Sequence, residues 1–153
     1  MRSTRRLIPA AGATILVAAM ALTGCGDDEA EAGTLTEAEF VEQANALCAT
    51  QAQAIGRVIG PLFAAGQPSP QDQQAALDQI VTLSRSLADD IGALVEPRSL
   101  TADIEELVKS LDAGTDEAAK QTGAAFFGSD EDPWADAQAR AHDLGLDACV
   151  PQE

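Results

Sequence analysis

The residues best suited to catalysis are one histidine and a few serines. His142 is the single histidine of the chain, and we considered Ser84, Ser86 and Ser110 as nucleophiles for a Ser-His-Asp arrangement. None of these serines lies in a G-x-S-x-G elbow or a comparable motif. A histidine late in a helix is typically exposed and stabilised by the helix dipole. We therefore predict no catalytic residue and no enzymatic activity.

An acidic run, Asp130 to Asp132, offers oxygen ligands of the kind that calcium prefers. The run lacks the spacing of an EF-hand and its bidentate glutamate, and acidic residues are in any case common at helix N-termini. Cys48, Cys149 and His142 are too few and too widely spaced for a zinc site. We predict no metal and no dissociable cofactor.

The N-terminal segment has the pattern of an export signal. Three arginines within the first six residues precede an apolar stretch of 16 residues, positions 7–22. This stretch is shorter than the roughly 20 residues of a membrane-spanning helix, and Pro9 and Gly12 interrupt it. We predict that residues 1–24 are a cleaved signal peptide. The alternative is an uncleaved signal anchor.

The end of this signal, Leu22-Thr23-Gly24-Cys25, resembles the lipobox of bacterial lipoproteins. The resemblance implies a diacylglyceryl group on the Cys25 thiol and cleavage just before Cys25. Two acyl chains hold a protein stably at a membrane, where one chain binds only marginally. The expected location is therefore the extracytoplasmic face of the cell membrane, with residues 25–35 as a lipidated, acidic tether.

Two further cysteines remain if Cys25 carries lipid. Disulfides persist in exported proteins, and an even remainder fits one bridge between Cys48 and Cys149. The alternative is two buried thiols that do not meet.

The composition favours packed helices and excludes some partners. The chain of 153 residues is 46% hydrophobic but only 3% aromatic, and alanine and leucine dominate its apolar content. Its formal net charge is −16, and the signal peptide contains three of the nine basic residues and none of the 25 acidic ones. An excess of negative charge repels nucleic-acid phosphates, so we predict no nucleic-acid partner.

Capping patterns predict where the first two helices begin and end. Thr36 and Glu39 form a capping box, with Leu35 and Phe40 at the positions of a hydrophobic staple. Pro61 is expected to end or kink this first helix. The second helix is predicted to begin after Ser69, with Pro70 at its first position, and to extend with an apolar stripe through Leu94 and Val95 up to Pro97.

Two more helices follow in the predicted scheme. The third runs from Thr101 to about Phe126 and is weakened near Gly114. The fourth takes Asp132 as N-cap and Pro133 as its first residue. It ends at Leu144, followed by Gly145 in a Schellman-type turn. Four amphipathic helices with short loops predict an all-α, up-down four-helix bundle over residues 36–153.

Most aromatic residues fall between the third and fourth predicted helices. Phe126, Phe127 and Trp134 are expected to plug one end of the bundle. The alternative is that they line an apolar ligand site or a docking patch.

Two segments, FVEQANALCAT (40–50) and ARAHDLGLDACV (139–150), resemble a group of small actinobacterial exported proteins. That resemblance implies a secreted helical domain with paired end cysteines and no particular activity.

The sequence therefore predicts a lipid-anchored helical protein that acts as a structural or interaction module at the cell envelope, with an envelope protein as partner. The alternative is a carrier that binds a small apolar ligand between its helices. An envelope hydrolase has no supporting motif.

Overall fold

The computed structural model describes residues 34–64 and 66–151. The predicted signal peptide, the lipobox with Cys25 and the tether up to residue 33 lie outside the described residues. Within those described, the protein is all-α without a β-strand, which confirms the all-α part of the prediction.

Five α-helices and a final 3-10 helix make up the described chain. They are α1 (Glu37–Ala64), α2 (Pro70–Gly92), α3 (Thr101–Ala118), α4 (Gly123–Gly128), α5 (Ala135–Asp143) and the 3-10 helix (Asp147–Cys149). Helix α2 packs against α1, α3 and α4, while α3 packs against α5. The 3-10 helix packs against both α1 and α5.

The start of α1 is the capping box that the sequence predicts. The Thr36 amide donates to the Glu39 carboxylate at 2.9 Å, and the Glu39 amide donates to Thr36 Oγ1 at 3.2 Å. The bond from the Thr36 amide, together with a bond that the Thr36 hydroxyl donates to the same carboxylate at 2.9 Å, holds the pKa of Glu39 below its ordinary value. Phe40 is fully buried and Leu35 packs against its cluster, as expected of a hydrophobic staple.

Of the two outcomes predicted for Pro61, an end or a kink, the end is wrong, because α1 continues to Ala64. Proline removes one backbone hydrogen bond from a helix interior. Only three helical residues follow it here, and one of them, Phe63, packs edge-on against Phe127 with ring centroids 5.7 Å apart. This aromatic contact stabilises the last turn.

Helix α2 begins as predicted and ends earlier than predicted. Ser69 is the N-cap, and its hydroxyl accepts from the Asp72 amide at 3.2 Å. The helix ends at Gly92, before the expected stop at Pro97, and Val95 is 50% exposed instead of completing the apolar stripe.

The third predicted helix is two helices in the structure, α3 and α4. Helix α3 stops at Ala118, and Thr122 caps α4 by accepting from the Ala125 amide at 3.3 Å. The break allows α4 to approach α2 closely: a Cβ on Gly123 would collide with the backbone of Gln73 and Gln74. The Gly123 amide donates to the Gln74 side chain at 2.8 Å, which fixes this approach.

Helix α5 begins at Ala135, so the predicted start at Pro133 is wrong by two residues. Asp132 still orients the entry, because its carboxylate accepts from the Trp134 amide at 2.9 Å. The predicted Schellman ending is present: Gly145 has a φ of 73°, and the Leu146 amide donates to the Ala141 carbonyl at 2.8 Å.

The buried core has two clusters. The larger joins α1, α2, α3, α5 and Leu146, and consists of Phe40, Ala44, Cys48, Leu87, Ile91, Ile104, Leu107, Ala137, Ala141 and Leu146. The smaller is built from Leu77, Val81 and Ala118, with Phe126 and Phe127 packed on it. Trp134 packs against both clusters and so joins them.

Candidate functional site

The larger core cluster borders a cavity of about 350 Å³ between the helices. Its walls come from α1, α2, α3 and α5, and from the segment 148–151 that includes the end of the 3-10 helix. The cavity opens to the surface beside Ala52 and Pro151, which are exposed. Pockets that bind small molecules have volumes of about 300–1,000 Å³, so this cavity lies in their range.

Small side chains leave this space. Ala52 of α1 and Ala137 and Ala141 of α5 line the cavity together with the larger Ile55, Leu87 and Leu107. Helix α5 packs on α3, whereas α1 packs on α2 and meets α5 through the 3-10 helix. The cavity therefore occupies the gap between α1 and α5 that alanine side chains do not fill.

Few polar groups face the cavity. Ser84 is only 3% exposed, and its hydroxyl accepts from Gln51 Nε2 at 3.4 Å. The other polar side chain of the wall, Gln138, donates its amide to the Asp132 carboxylate at 2.6 Å. None of the residues that line the cavity carries a charge.

Trp134 contributes an apolar ring to the same wall. Its single polar atom, Nε1, donates to Thr115 Oγ1 at 3.1 Å, and Thr115 does not line the cavity. The indole is close to α3 as well, because a Cβ added to Gly114 would lie 2.8 Å from Trp134 Cδ1 and would collide with the Pro133 carbonyl.

The predicted cysteine pair closes one side of the cavity. Cys48 and Cys149 are joined in a disulfide with their Cα atoms 4.9 Å apart, across a sequence separation of 101 residues. Both cysteines line the cavity, and Cys48 is 1% exposed. The disulfide therefore attaches the C-terminal wall covalently to α1.

Asn45 holds the same segment by hydrogen bonds. Its Nδ2 donates to the Gly145 carbonyl at 3.2 Å, and its Oδ1 accepts from the Ala148 amide at 2.9 Å. Asn45 lies one helical turn before Cys48, so the two residues hold the chain just before the 3-10 helix, at Gly145, and within it, at Ala148 and Cys149.

The aromatic residues at the other end of α1 fill their space. Phe126 packs edge-on against Phe127 and Trp134, with ring centroids 5.0 Å and 6.0 Å apart. Phe63 completes the row and remains 45% exposed. Phe126 and Phe127 thus pack as the predicted plug, while Trp134 extends from the plug to the cavity wall.

The structure does not bring together in this cavity the histidine and the serines that the sequence offers as candidates for catalysis. Ser84 lines it, but His142 does not, and the His142 side chain is 71% exposed with Nδ1 3.8 Å from Asp143 Oδ1. Ser86 is exposed, and Ser110 donates to the Leu107 carbonyl at 2.8 Å.

The acidic run Asp130 to Asp132 is exposed, and Asp132 caps the entry to α5. Within residues 34–64 and 66–151, no group of three or more His, Cys, Asp or Glu side chains is placed to hold a metal ion. Cys25 and the lipobox residues lie outside the described residues.

The charged side chains lie on the outer surface. Arg140 pairs with Glu106 at 3.5 Å and joins α5 to α3, and Arg85 pairs with Asp116 at 3.4 Å and joins α2 to α3. These side chains are about half exposed or more, so each pair adds little stability, typically about 0–1 kcal/mol.

Sequence reasoning missed two residues that shape the site. Asn45 is partly buried next to the apolar stripe of α1. A polar side chain at such a position usually has a hydrogen-bond partner. Gly114 was interpreted as a weak point of the third helix, yet it is buried and allows the Pro133–Trp134 turn to approach α3. A glycine inside a helical pattern often has such a packing reason.

Comparison with known protein families, with curated proteins and with solved structures finds no match to this chain. Among the described helices, none is both long and apolar enough to span a membrane.

Proposed function

We propose that the protein is a lipid-anchored, extracytoplasmic binding protein that carries a small apolar molecule in its interhelical cavity. The observation that carries this proposal is the cavity of about 350 Å³ with an uncharged, largely apolar lining. A structural or interaction module needs only a filled core and a binding surface. A space of this size inside the helices is instead what a carrier requires.

The cellular location rests on two features. The lipobox resemblance at Cys25 supports export followed by lipid attachment. The Cys48–Cys149 disulfide supports the same location, because disulfides persist in oxidising compartments outside the cytoplasm. Two acyl chains suffice to retain an acidic domain at a membrane that its own charge would not favour.

The up-down arrangement of α1, α2, α3 and α5 is part of this proposal. The start of α1 shares the larger cluster with the end of α2, through Phe40 and Ile91. The start of α3 joins the same cluster through Ile104. A start, an end and a start of successive helices in one cluster support an antiparallel arrangement of neighbouring helices. The cavity lies between these helices.

Binding is tested with the purified lipoprotein in phospholipid vesicles and the uncharged probe N-phenyl-1-naphthylamine, with empty vesicles as the blank. Trp134 is the single tryptophan, the chain has no tyrosine, and this residue lines the cavity. We expect a saturable change in Trp134 emission that Ala52→Phe abolishes and Ala49→Phe preserves. Ala52 and Ala49 are both exposed on α1, but only Ala52 lines the cavity. An absent response, or equal responses of the two variants, would refute the carrier.

The anchor is tested separately by Cys25→Ser. We expect this variant to lose lipid labelling and to leave the membrane fraction. Lipid labelling that persists without the Cys25 thiol would overturn the lipobox assignment.

A further inference from the structure

We infer that the molecule bound in the cavity is uncharged and has an acceptor oxygen, of the ester or ketone kind, that binds at Ser84 and Gln51. This inference rests on the proposed carrier function and adds the chemical class of its ligand.

The absence of charge on the lining excludes ionised ligands. A carboxylate or ammonium moved from water into an apolar site needs a partner of opposite charge, and none of the lining residues supplies one. A wider depression between α1 and the start of α2 differs in this respect, because the charged residues Arg57 and Asp72 line it. The net charge of −16 further disfavours anions near the protein.

Ser84 supplies the donor for an acceptor oxygen. A serine hydroxyl has one proton to donate beside its acceptor lone pairs. Other helical hydroxyls donate to their own helix, as Thr82 does to the Asp78 carbonyl at 2.8 Å and Thr115 to the Leu111 carbonyl at 2.7 Å. Among the described residues, the hydrogen bond of the Ser84 side chain is the one it accepts from Gln51. Its own proton is thus available to a ligand, and Ser84 is only 3% exposed.

The remaining wall offers mainly apolar contact, with Gln138 as its one further polar side chain. The Nε1 of Trp134 is engaged by Thr115, and the amide of Gln138 by Asp132. The polar recognition is therefore concentrated at Ser84 and Gln51. A ligand with one acceptor oxygen and an alkyl or ring body matches this distribution.

The test uses the full lipoprotein in phospholipid vesicles and three probes of similar length: methyl decanoate, the decanoate anion and undecane. Free concentrations are set by partition into empty vesicles, and Trp134 emission reports binding. We expect methyl decanoate to bind most tightly. Ser84→Ala is expected to weaken ester binding about 3- to 10-fold, the factor of one net hydrogen bond, and to leave undecane unchanged.

Two variants control for structure. Ser86→Ala makes the same change on an exposed position of α2 and is expected to alter nothing, while Ser84→Thr keeps the hydroxyl and is expected to keep the ester preference. Equal binding of decanoate and its ester, or no effect of Ser84→Ala on the ester, would overturn the ligand class while leaving the carrier standing. If no probe gives saturable binding, the proposed carrier function itself is refuted.

Discussion

The two ends of α1 solve the packing problem in different ways. At the clasped end, defined by Asn45 and the Cys48–Cys149 disulfide, alanines leave a cavity that the C-terminal segment closes. At the aromatic end, defined by Phe63, Phe126 and Phe127, rings in edge-to-face contact fill the space. The clasped end is held by a disulfide and hydrogen bonds around a cavity. The aromatic end is held mainly by contact between aromatic rings.

This difference has a physical reason. Atoms that face a void lose dispersion contacts on that side, so a cavity wall is held less firmly by packing than a filled core is. The clasped end compensates with a covalent link and two hydrogen bonds from Asn45. At the aromatic end, one hydrogen bond from Gly123 to Gln74 holds α4, and aromatic pairs contribute about 0.5–1.5 kcal/mol each beyond their buried area.

The largest effect on stability is expected from removal of the disulfide at the clasped end, with the double variant Cys48→Ser/Cys149→Ser. For a loop of about 100 residues, the chain-entropy model gives about 4.7 kcal/mol of stabilisation, and measured losses are typically about 2–5 kcal/mol. We expect a fall of this size in the free energy of unfolding, measured by urea denaturation.

The location of the loss separates the two ends. Amide hydrogen exchange in the double variant is expected to rise in the 3-10 helix (Asp147–Cys149) and at the start of α1, and to change less in α4. Uniform acceleration across all helices would mean that the clasped end is not a separate unit of stability.

The next effect concerns the turn that joins the two ends. Gly114→Ala adds a Cβ that collides with the Pro133 carbonyl and lies 2.8 Å from Trp134 Cδ1. Overpacking of this kind is expected to lower the free energy of unfolding by about 1–3 kcal/mol. Gly56→Ala is the matched control, because this helical glycine does not precede a proline and its added Cβ meets nothing within 4 Å. This exposed helical glycine should gain about 0.5–1 kcal/mol. Effects of the same sign at the two sites would contradict the close approach.

The sequence predicts those parts of the fold that depend on local chemistry. The capping box at Thr36 and Glu39, the cap at Ser69 and the Schellman turn at Gly145 each involve neighbours within a few residues. The disulfide was also predictable, because the cysteine count left few pairings. Local rules suffice for these features since their partners are close in the chain.

The rest depends on contacts between distant residues. The break between α3 and α4 follows from the contact of Gly123 with α2, about 50 residues earlier in the chain, and the persistence of α1 past Pro61 accompanies the Phe63–Phe127 contact. The cavity depends on which alanines face each other across α1 and α5. An alanine-rich apolar stripe has the same sequence pattern whether the space next to it in the fold is filled or empty.

An effect of similar size is expected from the hydrogen bonds of Asn45. Asn45→Ala removes the bonds to the Gly145 carbonyl and the Ala148 amide, and net hydrogen bonds contribute about 0.5–1.5 kcal/mol each. We expect a loss of about 1–3 kcal/mol in urea denaturation with the disulfide intact, and faster proteolysis of the C-terminal segment. Gln43→Ala, at an exposed position of the same helix, should be neutral. Equal losses from the two variants would show that Asn45 contributes no more than a surface residue.

The smallest effect is a pH dependence confined to the clasped end. The hydrogen bonds from Thr36 lower the pKa of Glu39 in the folded state, so the ionised carboxylate stabilises folding above its unfolded pKa. That contribution is lost as the pH falls through the lowered pKa. Glu39→Gln keeps a capping-box side chain but removes the titration. The difference in free energy of unfolding between wild type and variant should be constant near neutral pH and shrink in the acid range, because all other carboxylates cancel between the two proteins. A difference independent of pH would mean that the Thr36 bonds do not depend on the charge of Glu39.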